Sequence, residues 1–515
     1  MQAVIVIHGM GEQIPMGTLN GFVDAVWTND ESLTNRNKPD PNTGKSRKTG
    51  PVENAAWYKP DEVSRNFELR RITTEKSAPN NENRGRRTDF YEFYWAHHIK
   101  DMTFKDVLSW IRYLLFRNPL KSVPKDVLFT WCLLWIITLG TLGYAIHNAL
   151  PTVYTKSVGF LPDGILPALT SSILGIIASF ASVAIGGFIT KNLVSHFGDV
   201  VRYVRPHPPN ISTRQKIREE GVELLESILS EEYSGKKKYD RVVIVAHSLG
   251  TIVAYDILTH AFARMNTKYT TQKDKAGNAV PPFVEPERAK LEEMIRQGNL
   301  SIEDYQSQQN KAMKEFVAQG NSWCVSDFIT LGSPLTHAEF LLEKDMTAVR
   351  KAQLNRTFPT CPPVMEYDGK TNKKRFTYTG SSKDKNSPYN RYIANLTNDD
   401  QKDILKESDE APRYPHHAAL FAYTRWSNLF SPSKFTLWGD QVSGPLANTF
   451  GKGIRDIQVM PGIDAAGKKL SGEKSTFLAH TKYWSMKKKP KNPPASTPPP
   501  YAVKVLRQVL NLQKG

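Results

Sequence analysis

Cysteine is scarce in this sequence. Three residues in 515, Cys132, Cys324 and Cys361, are too few and too scattered for a disulfide framework or a cysteine-built zinc site. Reduced thiols in a cytosolic setting are expected. The opening Met1–Ile7 stretch has no basic n-region and no long apolar h-region, which argues against a cleavable secretory signal. No internal repeat is present. Basic residues outnumber acidic ones, 68 to 51, for a net charge of +17. No recognisable basic and aromatic module accompanies that excess, so nucleic acid is not an expected partner. Two readings of the charge remain: attraction to anionic lipid head groups, and general solvated basicity.

Charge is missing altogether from two long runs. Val127–Leu150 and Ile165–Ile189 contain no Asp, Glu, Lys or Arg. A mean hydropathy of −0.44 averages over them and hides them. As a helix the first run extends about 36 Å, enough to cross a hydrocarbon core of about 30 Å. The second is rich in Gly, Ala and Ser, which suits close helix packing in lipid and leaves room for oligomer contacts. The pair is expected to form a transmembrane hairpin, multi-pass with two spans. Arg112, Arg117, Lys121 and Lys125 precede it and Lys191, Arg202 and Arg205 follow it, whereas the connecting loop has only Lys156. The positive-inside rule therefore places both flanks in the cytoplasm. Trp131 and Trp135 suit an interface. The competing reading is a buried helical hairpin in a soluble core.

The rest of the chain reads as alternating strands and helices. Val4–Ile7 is a β-branched strand stopped by glycines, and Gly17–Trp27 a helix. The polar stretch 29–60 reads as a surface excursion, and Phe67–Thr73 and Asp89–Trp95 as strands. Thr213–Ser230 is an amphipathic helix, Arg241–Ala246 a strand, Thr251–Phe262 a helix and Phe328–Leu331 a strand. Glu287–Gln319 reads either as a helical lid or as a solvated helical insert. Residues 363–410 are polar and irregular, Tyr423–Phe430 and Arg455–Met460 are strand-like, and Lys487–Pro500 is a basic, proline-rich tail before a short amphipathic helix, Tyr501–Leu512. The division expected is 1–110 and 206–485 as one interrupted catalytic domain with an insert at 263–322, 111–205 as the hairpin with its basic flanks, and 486–515 as the tail.

Two motifs carry chemistry. Val243–Ala246 runs into Ala246-His247-Ser248-Leu249-Gly250 and then into a helix. Small residues two before and two after the serine permit a strained turn that lifts Ser248 Oγ clear of a sheet and aims the Leu249 N–H and the helix N-terminus at a developing oxyanion. The other is His8-Gly9-Met10-Gly11 after the first strand, a glycine turn through which backbone N–H groups, that of Met10 above all, reach a substrate oxygen. Taken alone it is an ordinary turn.

Together these segments resemble the α/β-hydrolase superfamily, specifically its bacterial lipase- and esterase-like members, over about residues 1–27, 66–97 and 213–485. The hairpin lies outside that resemblance. Ala246 stands where the family pattern has glycine. The resemblance implies an α/β-hydrolase fold, a mostly parallel sheet flanked by helices, and a nucleophile–acid–histidine order, so both partners should follow Ser248. His480, in a loop after the last strand, is the expected base, with His416 and His417 as rivals. Asp440 is the expected acid, with Asp456 and Asp327 as alternatives. Met10 and Leu249 would supply the oxyanion hole, and His8, Gly9, Gly11 and His247 would line the substrate site; Ser333 is given no catalytic part. The implied reaction is ester hydrolysis through an acyl-enzyme, with no metal or organic cofactor. Membrane lipids are the expected substrates and anionic head groups the expected partners. An anchored esterase or thioesterase for soluble substrates, and an inactive membrane scaffold, are the alternatives.

Overall fold

The structure is a computed structural model. It describes residues 1–10, 14–79, 84–98, 208–270, 285–298, 301–369, 372–378, 413–432, 439–459, 479–486 and 499–513, with scattered positions between 115 and 140 and Tyr203 and Val204. The second uncharged run lies outside these residues. Of the first, only Leu128, Trp131, Cys132, Trp135, Ile136, Leu139 and Gly140 are described, all helical. Among the described residues no helix is long and apolar enough to cross a membrane.

Eight strands form the main sheet: β1 (Gln2–Ile7), β2 (Ala56–Pro60), β3 (Arg70–Thr74), β4 (Thr88–Phe93), β5 (Arg241–His247), β6 (Val325–Leu331), β7 (Arg425–Phe430) and β8 (Arg455–Gln458). Their spatial order is β8-β7-β6-β5-β1-β4-β3-β2. The strands from β8 to β4 run parallel, and β3 and β2 are antiparallel at one edge. The protein is thus an α/β protein, with helices on both faces of a mostly parallel sheet.

The central strands read QAVIVI and RVVIVAH and are almost wholly buried. Side chains alternate between faces, so a β-branched run feeds two cores at once. Ala3, Ile5, Ile7, Val242, Ile244 and Ala246 join one apolar cluster, with helices α2 (Pro208–Ser230), α3 (Gly250–Thr270) and α5 (Ile302–Ala318). Val4, Val6, Val243 and Val245 join the other, with α1 (Gly17–Val23) and α6 (Tyr501–Leu510).

Two further helical segments pack into the body. The segment Glu287–Gln319 forms α4 (Pro286–Gln297) and α5. The inner face of α5 buries Tyr305, Ala312, Met313 and Phe316, and Gln309 donates to the carbonyls of Phe421 and Thr424. It is a layer of the sheet flank with one buried face. In α6, Ala502, Val503, Val505, Leu506 and Leu510 lie on one buried face. Arg507 donates to the carbonyls of Ala25 and Asn29, and Gln2 Nε2 donates to the Leu512 carbonyl, so the end of the chain clasps its beginning.

Strand order reverses at β1: from there the chain runs to the edge strand β2, returns through β3 to β4 beside β1, and takes up β5 on the other side. The crevice outside the carboxyl ends of β1 and β5 is where sheets of this kind bind ligands.

Candidate active site

Ser248 sits in that crevice, immediately after β5. Its φ is 53°, in the left-handed region that non-glycine residues rarely occupy. The turn is held by the Ser248 N–H donating to the Leu331 carbonyl at 2.9 Å and by Thr251 Oγ1 donating to the Ser248 carbonyl at 2.7 Å. Close approach explains the glycines beside it. A Cβ on Gly9 would lie 2.9 Å from Ser248 Cβ, and one on Gly250 would lie 2.2 Å from the His8 carbonyl oxygen. The two glycine-bearing turns therefore pack backbone to backbone. Leu249 is buried at the start of α3, where helix geometry leaves the first amides without an intrahelical partner. Met10 follows Gly9 at the rim of this turn; Gly11 lies outside the described residues.

The structure brings Ser248, His480 and Asp440 together from three loops at the carboxyl end of the sheet. Asp440 follows β7, and His480 lies in a 3-10 turn, Ala479–Thr481, after β8. Ser248 Oγ is 2.7 Å from His480 Nε2, and His480 Nδ1 is 3.0 Å from each Asp440 carboxylate oxygen. Burial by itself would raise the Asp440 pKa. The His480 charge and hydrogen bonds from His480, Tyr483 and Ser443 outweigh it and hold the carboxyl at about 2. An ionised carboxylate only accepts, so it fixes the proton on His480 Nδ1 and leaves the Nε2 lone pair for the Ser248 hydroxyl.

Asp440 is the better held for a residue that the sequence did not single out. The Tyr483 hydroxyl donates to Asp440 Oδ2 at 2.7 Å and accepts from the Ser431 N–H at 3.1 Å. Gly332, with φ +61°, passes under the group: a Cβ there would lie 2.8 Å from Tyr483 Cε2 and 3.2 Å from both Asp440 Oδ2 and His480 Cε1. Ser333 bonds Thr251 Oγ1 at 2.8 Å and caps the next turn through the Leu335 N–H, which is a structural use. The signal in the sequence was Gly332-Ser333 at a strand end; nothing in the local pattern marked Tyr483.

The two histidines expected at the substrate have other partners. His8 is fully buried and stacks on Trp95 with ring centroids 5.0 Å apart. The Trp95 N–H donates to His8 Nε2, so Nδ1 carries the proton and donates to the Gly9 carbonyl at 2.7 Å. Burial lowers its pKa to about 4. His247 Nε2 donates to the His480 carbonyl at 2.7 Å, and its ring meets Trp484 edge-on. Burial, then the His480 charge, lower its pKa to about 3. Both rings stay neutral and brace the loops that carry the Gly9–Met10 turn and His480.

The rival residues are elsewhere. Asp327 pairs with Arg241 and Arg425 well before the carboxyl end of β6, and Asp456 accepts from the Leu446 and Ala447 N–H groups and from Asn428. His416 is buried between the Val364 carbonyl and the Ala418 N–H, and His417 lies beside it.

No protein-family model matches the chain, and no curated protein or solved structure shows a significant match to it.

Proposed function

We propose that this protein is a serine hydrolase of the α/β-hydrolase superfamily that cleaves carboxylic esters, with membrane lipids as its substrates. The observation that carries this reading is the hydrogen-bonded line from Ser248 Oγ through His480 to Asp440, at the switch point of a parallel sheet. The order nucleophile after β5, acid after β7 and histidine after β8 supports the superfamily assignment.

In this mechanism His480 Nε2 takes the Ser248 proton as Oγ attacks the ester carbonyl. The Met10 and Leu249 N–H groups hold the oxyanion, and Asp440 stabilises the imidazolium. His480 then gives the proton to the leaving alcohol. Water, deprotonated by the same nitrogen, releases the acid from the acyl-enzyme. The chemistry calls for no cofactor.

Lipid as substrate is supported by the two uncharged runs and their basic flanks. Phe116, Ile136 and Leu139 leave large apolar surfaces exposed. Arg117 donates to the carbonyls of Phe340, Glu343 and Lys344, tying the segment before the first run to the turn that follows Gly332–Pro334. In this reading the runs anchor the catalytic face to the cytoplasmic leaflet and the cationic flanks meet anionic head groups.

The test is mass spectrometry of products after incubating the full-length protein in detergent, and its Ser248→Ala variant, with defined phospholipids and with short-chain esters. Fatty acid release by wild type alone supports the reading. Turnover of short esters only would replace lipid by soluble substrates. If no ester is cleaved and a fluorophosphonate never labels Ser248, the protein is a scaffold.

A further inference from the structure

A group of potential metal ligands lies away from the serine, at the edge of the parallel part of the sheet. His97 and His98 form a 3-10 turn, Ala96–His98, just after β4, and Glu220 faces them from α2. The ligand atoms of all three lie within 4.8 Å of one another. His98 Nε2 is 2.5 Å from Glu220 Oε2, and the two imidazoles have centroids 3.7 Å apart. The His97 ring is oriented by stacking on Tyr94 at 5.5 Å.

The surroundings favour a cation. His97 and Glu220 line a cleft of 590 Å³ whose wall also carries Glu223, one turn further along α2, and Glu92 at the end of β4. Glu92 is 1% exposed, and its Oε1 has no hydrogen-bond partner among the described residues. Two imidazoles beside a carboxylate, with Glu223 further along the cleft wall, are a nitrogen and oxygen donor set. Such a set suits Zn²⁺ or a similar first-row divalent ion and does not suit the all-oxygen preference of Ca²⁺ or Mg²⁺.

Position gives the site its meaning. His97 and His98 follow β4, the last parallel strand at that edge, and Glu220 lies in the middle of α2, which packs against that turn, so the ligands join two elements far apart in sequence.

We infer that His97, His98 and Glu220 bind one zinc-class divalent cation that clasps the Ala96–His98 turn to α2. Roughly tetrahedral binding puts each ligand atom about 2.0–2.2 Å from the metal and leaves a fourth position for water or Glu223. The inference is independent of the hydrolase reading, because it concerns other residues and another readout.

The experiment uses the full-length protein in detergent, stripped with a chelator and then titrated with Zn²⁺ alone. Bound metal is counted by elemental analysis, affinity is measured by calorimetry, and the melting temperature is followed with and without zinc. Wild type should bind one zinc per chain and melt higher with it. His97→Asn and Glu220→Gln, both at partly solvated positions, should fold without metal, bind zinc at least about tenfold more weakly and lose the thermal shift. Binding and thermal shift unchanged in both variants would overturn the inference. So would a wild type that takes up no zinc, leaving His98 and Glu220 as an ion pair only.

Discussion

The Tyr483 hydroxyl donates to Asp440 Oδ2 across 2.7 Å, while the Ser431 N–H and the Ser443 hydroxyl meet the same phenol oxygen at 3.1 and 3.0 Å. Tyr483 is 1% exposed and Asp440 is likewise 1% exposed, so water is not available to replace that donor. Tyr483 thus adds to His480, whose charge and hydrogen bond contribute more, in keeping the buried carboxylate ionised, and it holds that carboxylate in place.

Replacing Tyr483 by Phe keeps the packing and removes the donor. A hydrogen bond to a charged, buried group contributes about 1.5–3 kcal/mol, so kcat should fall roughly 10- to 100-fold. KM should stay near the wild-type value, since Tyr483 acts through Asp440. Steady-state kinetics on a soluble ester distinguishes this from a fall in kcat/KM carried by KM.

Gly332 and Gly298 provide a matched pair. Both have φ near +70°, at +61° and +71°, but a Cβ on Gly298 meets nothing within 4 Å, whereas one on Gly332 meets Tyr483, Asp440 and His480. Gly298→Ala should cost about 1 kcal/mol of stability from backbone strain alone and leave activity intact. Gly332→Ala should add a large loss of kcat, because the new methyl displaces the acid and base. Equal activity in the two variants would contradict the packing described.

Three buried histidines should make the protein labile in mild acid. Burial lowers His8 and His416 to about 4 and His247 to about 3, against 6.5 in the unfolded chain. Below 6.5 the unfolded chain takes up protons that the folded chain refuses. The stability held above 6.5 is therefore lost as pH falls towards 4, by up to about 4 kcal/mol per pH unit for three protons. Denaturant midpoints measured across this window give the slope. His416→Asn, remote from Ser248, should reduce it by about a third.

Docking of α6 should matter to stability and not to chemistry. Leu506 is fully buried in the cluster shared with Val4, Val6 and Leu19. Leu506→Ala should cost about 2–5 kcal/mol, seen as a lower melting temperature, with kcat unchanged on a soluble ester below the transition.

The sequence by itself marked the central strands, the turn at Ser248 and two charge-free stretches; it did not mark β2, because the 29–60 stretch that ends in it reads as a polar surface excursion. The marked features are written in neighbouring residues: β-branched runs at Val4–Ile7 and Val242–Val245, small residues around Ser248, charge-free stretches at 127–150 and 165–189. Asp440 and His480 were legible as candidates because chain order restricts where they fall. Only the tertiary structure decided that they meet Ser248 and that Asp327, Asp456 and His416 have other partners. Distances among loops 40 to 232 residues apart depend on strand order and on how each strand ends, which no local pattern encodes. The same holds for Tyr483 and for α6. A tyrosine becomes a donor to one carboxylate, and an amphipathic helix becomes core, only through the surface that folding places against it.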